Sequence, residues 1–78
     1  VRQAAVAREI AAQVAGGDVA IAGLMLESFL VGGRQEPAPR GLTYGQSVTD
    51  ACMSWEVTTD VLRDLAGAAR ARRGRVAA

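Results

Sequence analysis

VAIAGLMLES, residues Val19 to Ser28, is the stretch on which the reading of this chain turns. Val19 to Leu26 carry no charge, and the run ends directly on the carboxylate of Glu27. An apolar run of this length, with Val and Ile early and no polar alternation, predicts a strand over 19–26 covered on both faces. A charge at its C-terminal end is then held at the lip of the fold, where open α/β sheets and barrels place their chemistry. A carboxylate ending a strand is also often the first solvated residue, so Glu27 alone decides little.

Upstream, residues 1–15 are Ala-rich, with Val6, Ile10 and Val14 recurring every four and Ala7 and Ala11 beside them. Arg2, Gln3, Arg8, Glu9 and Gln13 fill the other side, which predicts an amphipathic helix over 1–15. Gly16 and Gly17 stop it, since glycine takes the left-handed conformation a helix C-cap wants. Downstream, residues 29–46 predict a long loop: Phe29, Leu30 and Val31 form a last apolar patch, and Pro37 and Pro39 then exclude a regular helix. Val48 and its neighbours predict a short strand over 47–50 leading to Asp50. A second helix is predicted over 54–73, with Ser54 as N-cap and Glu56 and Asp60 in its early turns. Val57, Val61, Leu65 and Ala68 form its apolar stripe, widened by Leu62. Arg70, Arg72 and Arg73 suit its C-terminus, and Gly74 is expected to end it, leaving a frayed tail.

Seventy-eight residues make one small domain at most, and a chain of this size buries roughly 60–65% of its unfolded surface. Half the residues are hydrophobic and 22% are charged, which excludes a disordered or fibrous chain. The net charge of +1 gives no general attraction to nucleic acid. One Cys and no His leave no disulfide framework within the chain, which fits a reducing, cytoplasmic setting. No signal-peptide layout opens the chain, and its longest apolar run is short of the about 20 residues needed to span a bilayer. The start at Val1 rather than Met suggests a processed product or a piece of something longer.

The order helix, strand, long loop, short strand, helix is an α/β pattern. A strand apolar on both faces needs cover on both, and one short partner strand with two helices cannot supply a sheet. The residues ask for more sheet than they contain.

GLMLESFLVGGRQ (23–35) followed by LTYGQSVTDACMSWEVTTDVLRDLA (42–66) resembles the C-terminal portion of class I 3-deoxy-D-arabino-heptulosonate 7-phosphate (DAHP) synthase. AREIAAQVAGGDVAI upstream and ARARRG downstream extend the resemblance to nearly all of the chain. It implies the last part of a (β/α)8 TIM barrel: helix 1–15 as the sixth barrel helix, 19–26 and 47–50 as the seventh and eighth strands, and 54–73 as the last helix. The missing strands then lie in sequence not present here. It also implies the first step of the shikimate pathway to aromatic amino acids, in which phosphoenolpyruvate condenses with erythrose 4-phosphate. The family's divalent metal is held by a Cys, a His, a Glu and an Asp. The Glu of the block GLMLES maps to Glu27, and the Asp of the block SVTDAC maps to Asp50. Such a mixed ligand set suits Mn, Fe, Co or Zn rather than Ca. The ligand Cys and His and the phosphate-binding Lys and Arg residues belong to earlier strands, so the isolated chain is expected to be inactive. A homo-oligomer is expected of the parent enzyme.

Each of these residues also has a plain structural reading. Asp50 suits a turn or cap. Cys52, two residues beyond Asp50, is not the ligand Cys and is expected to be a buried, inert thiol. Trp55 is expected to pack at the helix start rather than serve as a substrate platform. Phe29, where close relatives often carry His, reads as packing. The Arg cluster at 70–75 lacks interleaved aromatics and balances a helix end better than it binds nucleic acid. The glycine pairs at 16–17 and 32–33 match no phosphate-binding fingerprint. The alternative to an enzyme fragment is a small non-catalytic α/β interaction or oligomerisation protein, whose exposed sheet edge pairs with another chain.

Overall fold

Two helices and the alanines between them organise the chain. In the computed structural model, which describes residues 2–77 and the side chains of 2–75, helix α1 runs Arg2–Ala15 and helix α2 runs Trp55–Ala77. Between them lie two short strands, β1 (Val31–Arg34) and β2 (Gln46–Ser47). The helices pack side by side and run parallel. Ala7 meets Val61, Ala11 and Val14 meet Ala68 one to two turns later, and Leu65 is shared between the two clusters. Arg8 on α1 reaches Asp64 on α2 at 3.5 Å, and Arg75 Nε donates to the Ala15 carbonyl at 2.7 Å. Small alanine side chains on both surfaces permit this close approach. Neighbouring helices of a βαβ-type architecture are parallel in the same way.

The buried stripe is narrower and rotated relative to the expected one. Ala7, Ala11 and Val14 are buried, whereas Val6 is exposed on the flank away from α2. On α2, Thr58, Val61 and Ala68 are buried while Val57 and Leu62 face solvent. Thr58 is accommodated because its hydroxyl donates to the Ser54 carbonyl one turn back, at 2.8 Å.

The helix termini follow their residue chemistry. Gly17 has φ 103° and donates to Val14 O at 2.9 Å, while Asp18 N donates to Gln13 O at 3.1 Å. That pair of bonds around a left-handed glycine is a Schellman ending. Ser54 caps α2, its Oγ accepting from Val57 N at 3.2 Å. The far end of α2 differs from expectation: the helix continues through Gly74 to Ala77. Arg72 and Arg75 turn across to α1 and the segment that follows it instead of serving only their own terminus. Arg72 Nη1 donates to Asp18 O at 2.9 Å and to Ile21 O at 2.6 Å, both beyond α1, and Arg75 satisfies the last carbonyl of α1, that of Ala15. A glycine in a helix costs about 1 kcal/mol relative to alanine, which these cross-helix bonds offset.

The segment 19–26 differs most. It forms no ladder, and Val19 and Met25 are 72% and 86% exposed. Pairing begins only beyond it. Ser28 bridges Met53 in parallel, Val31 and Arg34 of β1 pair in parallel with Gln46 and Ser47 of β2 with an irregularity between, and Gly33 bridges Cys52 in antiparallel fashion. A parallel strand needs a neighbour of comparable length. Among the described residues the one candidate, 46–53, reaches no further back than Ser28, so the run forms no strand: Ile21 and Leu26 pack against the helix pair, while Val19, Leu24 and Met25 stay exposed. The strand expected at 47–50 is likewise reduced to Gln46–Ser47. What the described residues build is a small α/β unit with a two-stranded sheet, not a closed barrel. The radius of gyration is 15.7 Å, against about 11–12 Å for a compact globule of this length.

The loop between β1 and β2 is tied at its base by one side chain. Gln35 Nε2 donates to Thr43 O at 2.8 Å and Gln46 O at 3.0 Å, and its Oε1 accepts from Thr43 N at 2.8 Å. The return to β2 requires Gly45, which has φ 80° and whose added Cβ would lie 2.9 Å from Leu30 Cβ. Gly45→Ala is therefore expected to destabilise the chain by about 1–3 kcal/mol, from backbone strain and displacement of Leu30. Alanine at Gly23, where an added Cβ meets nothing within 4 Å and φ is not positive, is the comparison. Thermal unfolding followed by circular dichroism should show a lower midpoint for the first and no decrease for the second.

Candidate metal centre

Glu27 and Asp50 lie on the two backbone segments that meet at the Ser28–Met53 bridge. Met53 N donates to Glu27 O and Phe29 N donates to Met53 O, both at 2.9 Å, so the end of the apolar run is laced to the residues just after Asp50. A side chain from α1 ties them further. Gln3 Oε1 accepts from Glu27 N at 2.9 Å, and Gln3 Nε2 donates to Glu27 O at 3.1 Å and to Ala51 O at 3.2 Å. On the other flank of Asp50, Arg34 Nε donates to Thr49 O at 2.8 Å, and Arg34 Nη1 pairs with Glu36 at 2.8 Å. The backbone on either side of Asp50 is thus held by two long polar side chains, one from α1 and one from β1.

The two carboxylates themselves are exposed, and among the described residues neither carries a salt bridge or a hydrogen bond. Carboxylate oxygens on two bonded backbone segments are the hard donors that divalent ions take. Two carboxylates make an incomplete set. Among the described residues, no cluster of three or more His, Cys, Asp or Glu side chains could hold an ion.

Cys52 is half-buried rather than buried. Its thiol donates to Asp50 O at 3.4 Å and faces a cleft of about 330 Å³ between the first turns of the two helices, lined also by Arg8, Gly32, Ser54 and Val57. Neither Glu27 nor Asp50 lines that cleft, so it is separate from the carboxylates. Trp55, expected to pack, is more than half exposed, although its backbone N–H donates to Leu30 O. Phe29 is also exposed. No helix among the described residues is long and apolar enough to cross a membrane.

Gln3, Arg34 and Gln35 are the residues that reading the sequence missed. Gln3 stood only as one of the polar positions on α1, and its partners lie 24 and 48 residues away. No local pattern marks such a clamp.

Relatives place the arrangement. The family model described as the DAHP synthetase I family matches residues 1–63. The chain is 52% identical over 81 aligned residues to phospho-2-dehydro-3-deoxyheptonate aldolase of Corynebacterium glutamicum, an alignment covering 94% of this chain and 22% of that protein. It is 49% identical to the Phe-sensitive enzyme of that name from Escherichia coli, over 94% of this chain and 21% of the relative. Among solved structures, phospho-2-dehydro-3-deoxyheptonate aldolase from Francisella tularensis superposes with a TM-score of 0.81 at 43% identity, covering 90% of this chain and 20% of that one. The chain therefore spans about a fifth of the length of the proteins it matches. A family match over most of the chain, together with a matching fold at high identity, leads to one conclusion: this chain belongs to the DAHP synthetase I family.

Proposed function

We propose that this chain is the C-terminal segment of a 3-deoxy-7-phosphoheptulonate synthase, a transferase that condenses phosphoenolpyruvate with erythrose 4-phosphate in a metal-dependent, aldol-like reaction. The single observation that carries the proposal furthest is the family match over residues 1–63. The parallel bridging of Ser28 with Met53, the parallel β1–β2 pair and the parallel helices agree with it. In the complete enzyme the run 19–26 and the segment 47–50 become the seventh and eighth strands of a (β/α)8 barrel, flanked by the family's earlier strands. The exposed side chains of Val19, Leu24 and Met25 are then covered. The enzyme acts in the cytoplasm as a homo-oligomer.

In this reading Glu27 and Asp50 hold a divalent ion (Mn, Fe, Co or Zn) together with a Cys and a His from earlier strands. When bound there, the ion supplies Lewis acidity toward the aldehyde of erythrose 4-phosphate, which the enol carbon of phosphoenolpyruvate attacks. This chain's own part is positional. In the barrel the two carboxylates would stand at the C-terminal ends of adjacent strands, the face on which barrel enzymes assemble their sites. The phosphate-binding residues lie elsewhere in the chain, so the 78-residue segment alone does not catalyse.

The assay is consumption of phosphoenolpyruvate in the presence of erythrose 4-phosphate. The polypeptide extended to the length of its relatives is expected to be active and to lose activity on treatment with a chelator. The 78-residue segment is expected to be inactive with or without Mn(II). Chelator-resistant condensation by the long form, or turnover by the segment alone, would contradict the proposal.

A further inference from the structure

We propose that Gln3 is a positioning residue of the metal centre: its side-chain amide fixes the separation of the two backbone segments that carry Glu27 and Asp50. The inference rests on the assignment of those carboxylates as ligands. It adds a residue that touches neither metal nor substrate and acts through the backbone.

A primary amide has one acceptor oxygen and two N–H donors, and at Gln3 all three functions are engaged. The oxygen takes the amide proton of Glu27, and the two N–H groups go to the carbonyls of Glu27 and Ala51. The three bonds therefore grip the ligand-bearing residue Glu27 on both its backbone groups and the residue following Asp50 on one. The segments are also bonded directly, by Met53 N to Glu27 O, Phe29 N to Met53 O and the Gly33–Cys52 pair. All of those bonds engage residues 52 and 53, whereas Gln3 reaches Ala51, the residue next to Asp50. A bond network that spans two ligand-bearing ends and originates on a third element leaves them little freedom to shift apart. Metal affinity is sensitive to such partners: removing an outer hydrogen-bonding residue typically weakens binding about 10- to 100-fold.

Gln35 supplies an internal comparison. It makes the same number of side-chain hydrogen bonds to backbone groups, but at the base of the loop, to Thr43 and Gln46. If long-range glutamine clamps matter only for general stability, both should behave alike. If Gln3 positions ligands, only Gln3 should affect the metal.

The test uses the full-length synthase carrying this segment, with Mn(II) as probe, titrated by electron paramagnetic resonance. Gln3→Met keeps the length and removes all three bonds. It is expected to raise the Mn(II) dissociation constant about 10- to 100-fold, with Gln35→Met within about twofold of the parent. Hydrogen exchange read on the metal-free protein gives a second measurement. The Glu27 amide loses its acceptor in Gln3→Met and should exchange faster, whereas in Gln3→Glu the carboxylate still accepts that proton but opposes the Glu27 and Ala51 carbonyls. Gln3→Glu should therefore keep Glu27 protected better than Gln3→Met while still weakening Mn(II) binding, and it serves as the titrated variant if Gln3→Met does not fold. Unchanged Mn(II) affinity in both Gln3 variants, or an equal loss in Gln35→Met, would overturn the inference. If Glu27→Gln and Asp50→Asn also bind Mn(II) normally, the ligand assignment itself fails. If they lose the metal while the Gln3 variants keep it, the assignment stands and only the positioning role falls.

Discussion

Alanine at Glu27 or at Asp50 in the full-length synthase is expected to lower condensation on the order of 10³-fold while leaving the melting temperature of the metal-free protein nearly unchanged. The two halves of that expectation have separate causes. Lewis-acid stabilisation by a bound divalent ion is worth several kcal/mol in the transition state, and 1.4 kcal/mol is a factor of ten in rate. On the proposed ligand set, losing one of four ligands forfeits most of it. The folded chain, in contrast, invests nothing in either carboxylate. Both are exposed and, among the described residues, neither has an ion-pair or hydrogen-bond partner. Surface substitutions of that kind stay within about 0.5 kcal/mol of the parent. Alanine at Glu56, another exposed carboxylate with no salt bridge among the described residues, is the control and should change the rate less than about twofold. Equal rates for all three variants would remove Glu27 and Asp50 from the chemistry.

Val61→Asp is expected to unfold the helix pair. Val61 is 0% exposed and packs with Ala7 and Met53, flanked by Ala4, Leu26 and Leu65. No basic group belongs to that cluster, so the new carboxylate would be buried without a partner. An uncompensated buried charge costs more than almost any other single change, about 4 kcal/mol or beyond, against a total stability of about 5–15 kcal/mol for an ordinary domain. Val61→Ala removes two methyl groups and should cost about 1–3 kcal/mol. The helical circular dichroism signal should therefore fall sharply for the aspartate and hold at low temperature for the alanine. A native signal and midpoint for Val61→Asp would mean that the two helices do not pack through this position.

The helices were legible because their signals are local. Apolar residues every three to four positions, Gly16–Gly17 at one end and Ser54 at the other mark them without reference to anything distant. Which flank each stripe buries was less legible. Val6 and Leu62 carry the right chemistry, but close alanine-to-alanine packing turns the helices so that Ala7, Ala11 and Ala68 face inward instead. The run 19–26 shows the limit of composition. Its residues describe a strand covered on both sides, yet a strand exists only where a neighbour supplies hydrogen bonds, and among the described residues one is supplied only from Ser28 onward. Under the proposed barrel reading, its apolar content fits cover from further strands. The end of α2 is hidden from the sequence for a related reason. Gly74 reads as a stop, but Arg75 bonds the last residue of α1 and Arg72 the segment just after it, far away in sequence. The proposed ligands came from the blocks GLMLES and SVTDAC taken together, because neither carboxylate is distinguished by its neighbours alone. Gln3 left no signal in the sequence. Its role appears only when its partners at Glu27 and Ala51 are seen in space.

Mn(II) binding to the 78-residue chain itself, measured by electron paramagnetic resonance alongside the full-length protein, tests the half-site most directly. Two carboxylates without the Cys and the His are expected to leave the short chain with weak binding at best, in the millimolar range of a bare carboxylate pair, on the order of the weakest oxygen-ligand sites. The full-length protein is expected to bind tightly and to lose that binding when Glu27 and Asp50 are replaced. Tight Mn(II) binding by the monomeric 78-residue chain would show that the site is complete without the other strands, and would contradict the assignment of half a metal centre to this segment.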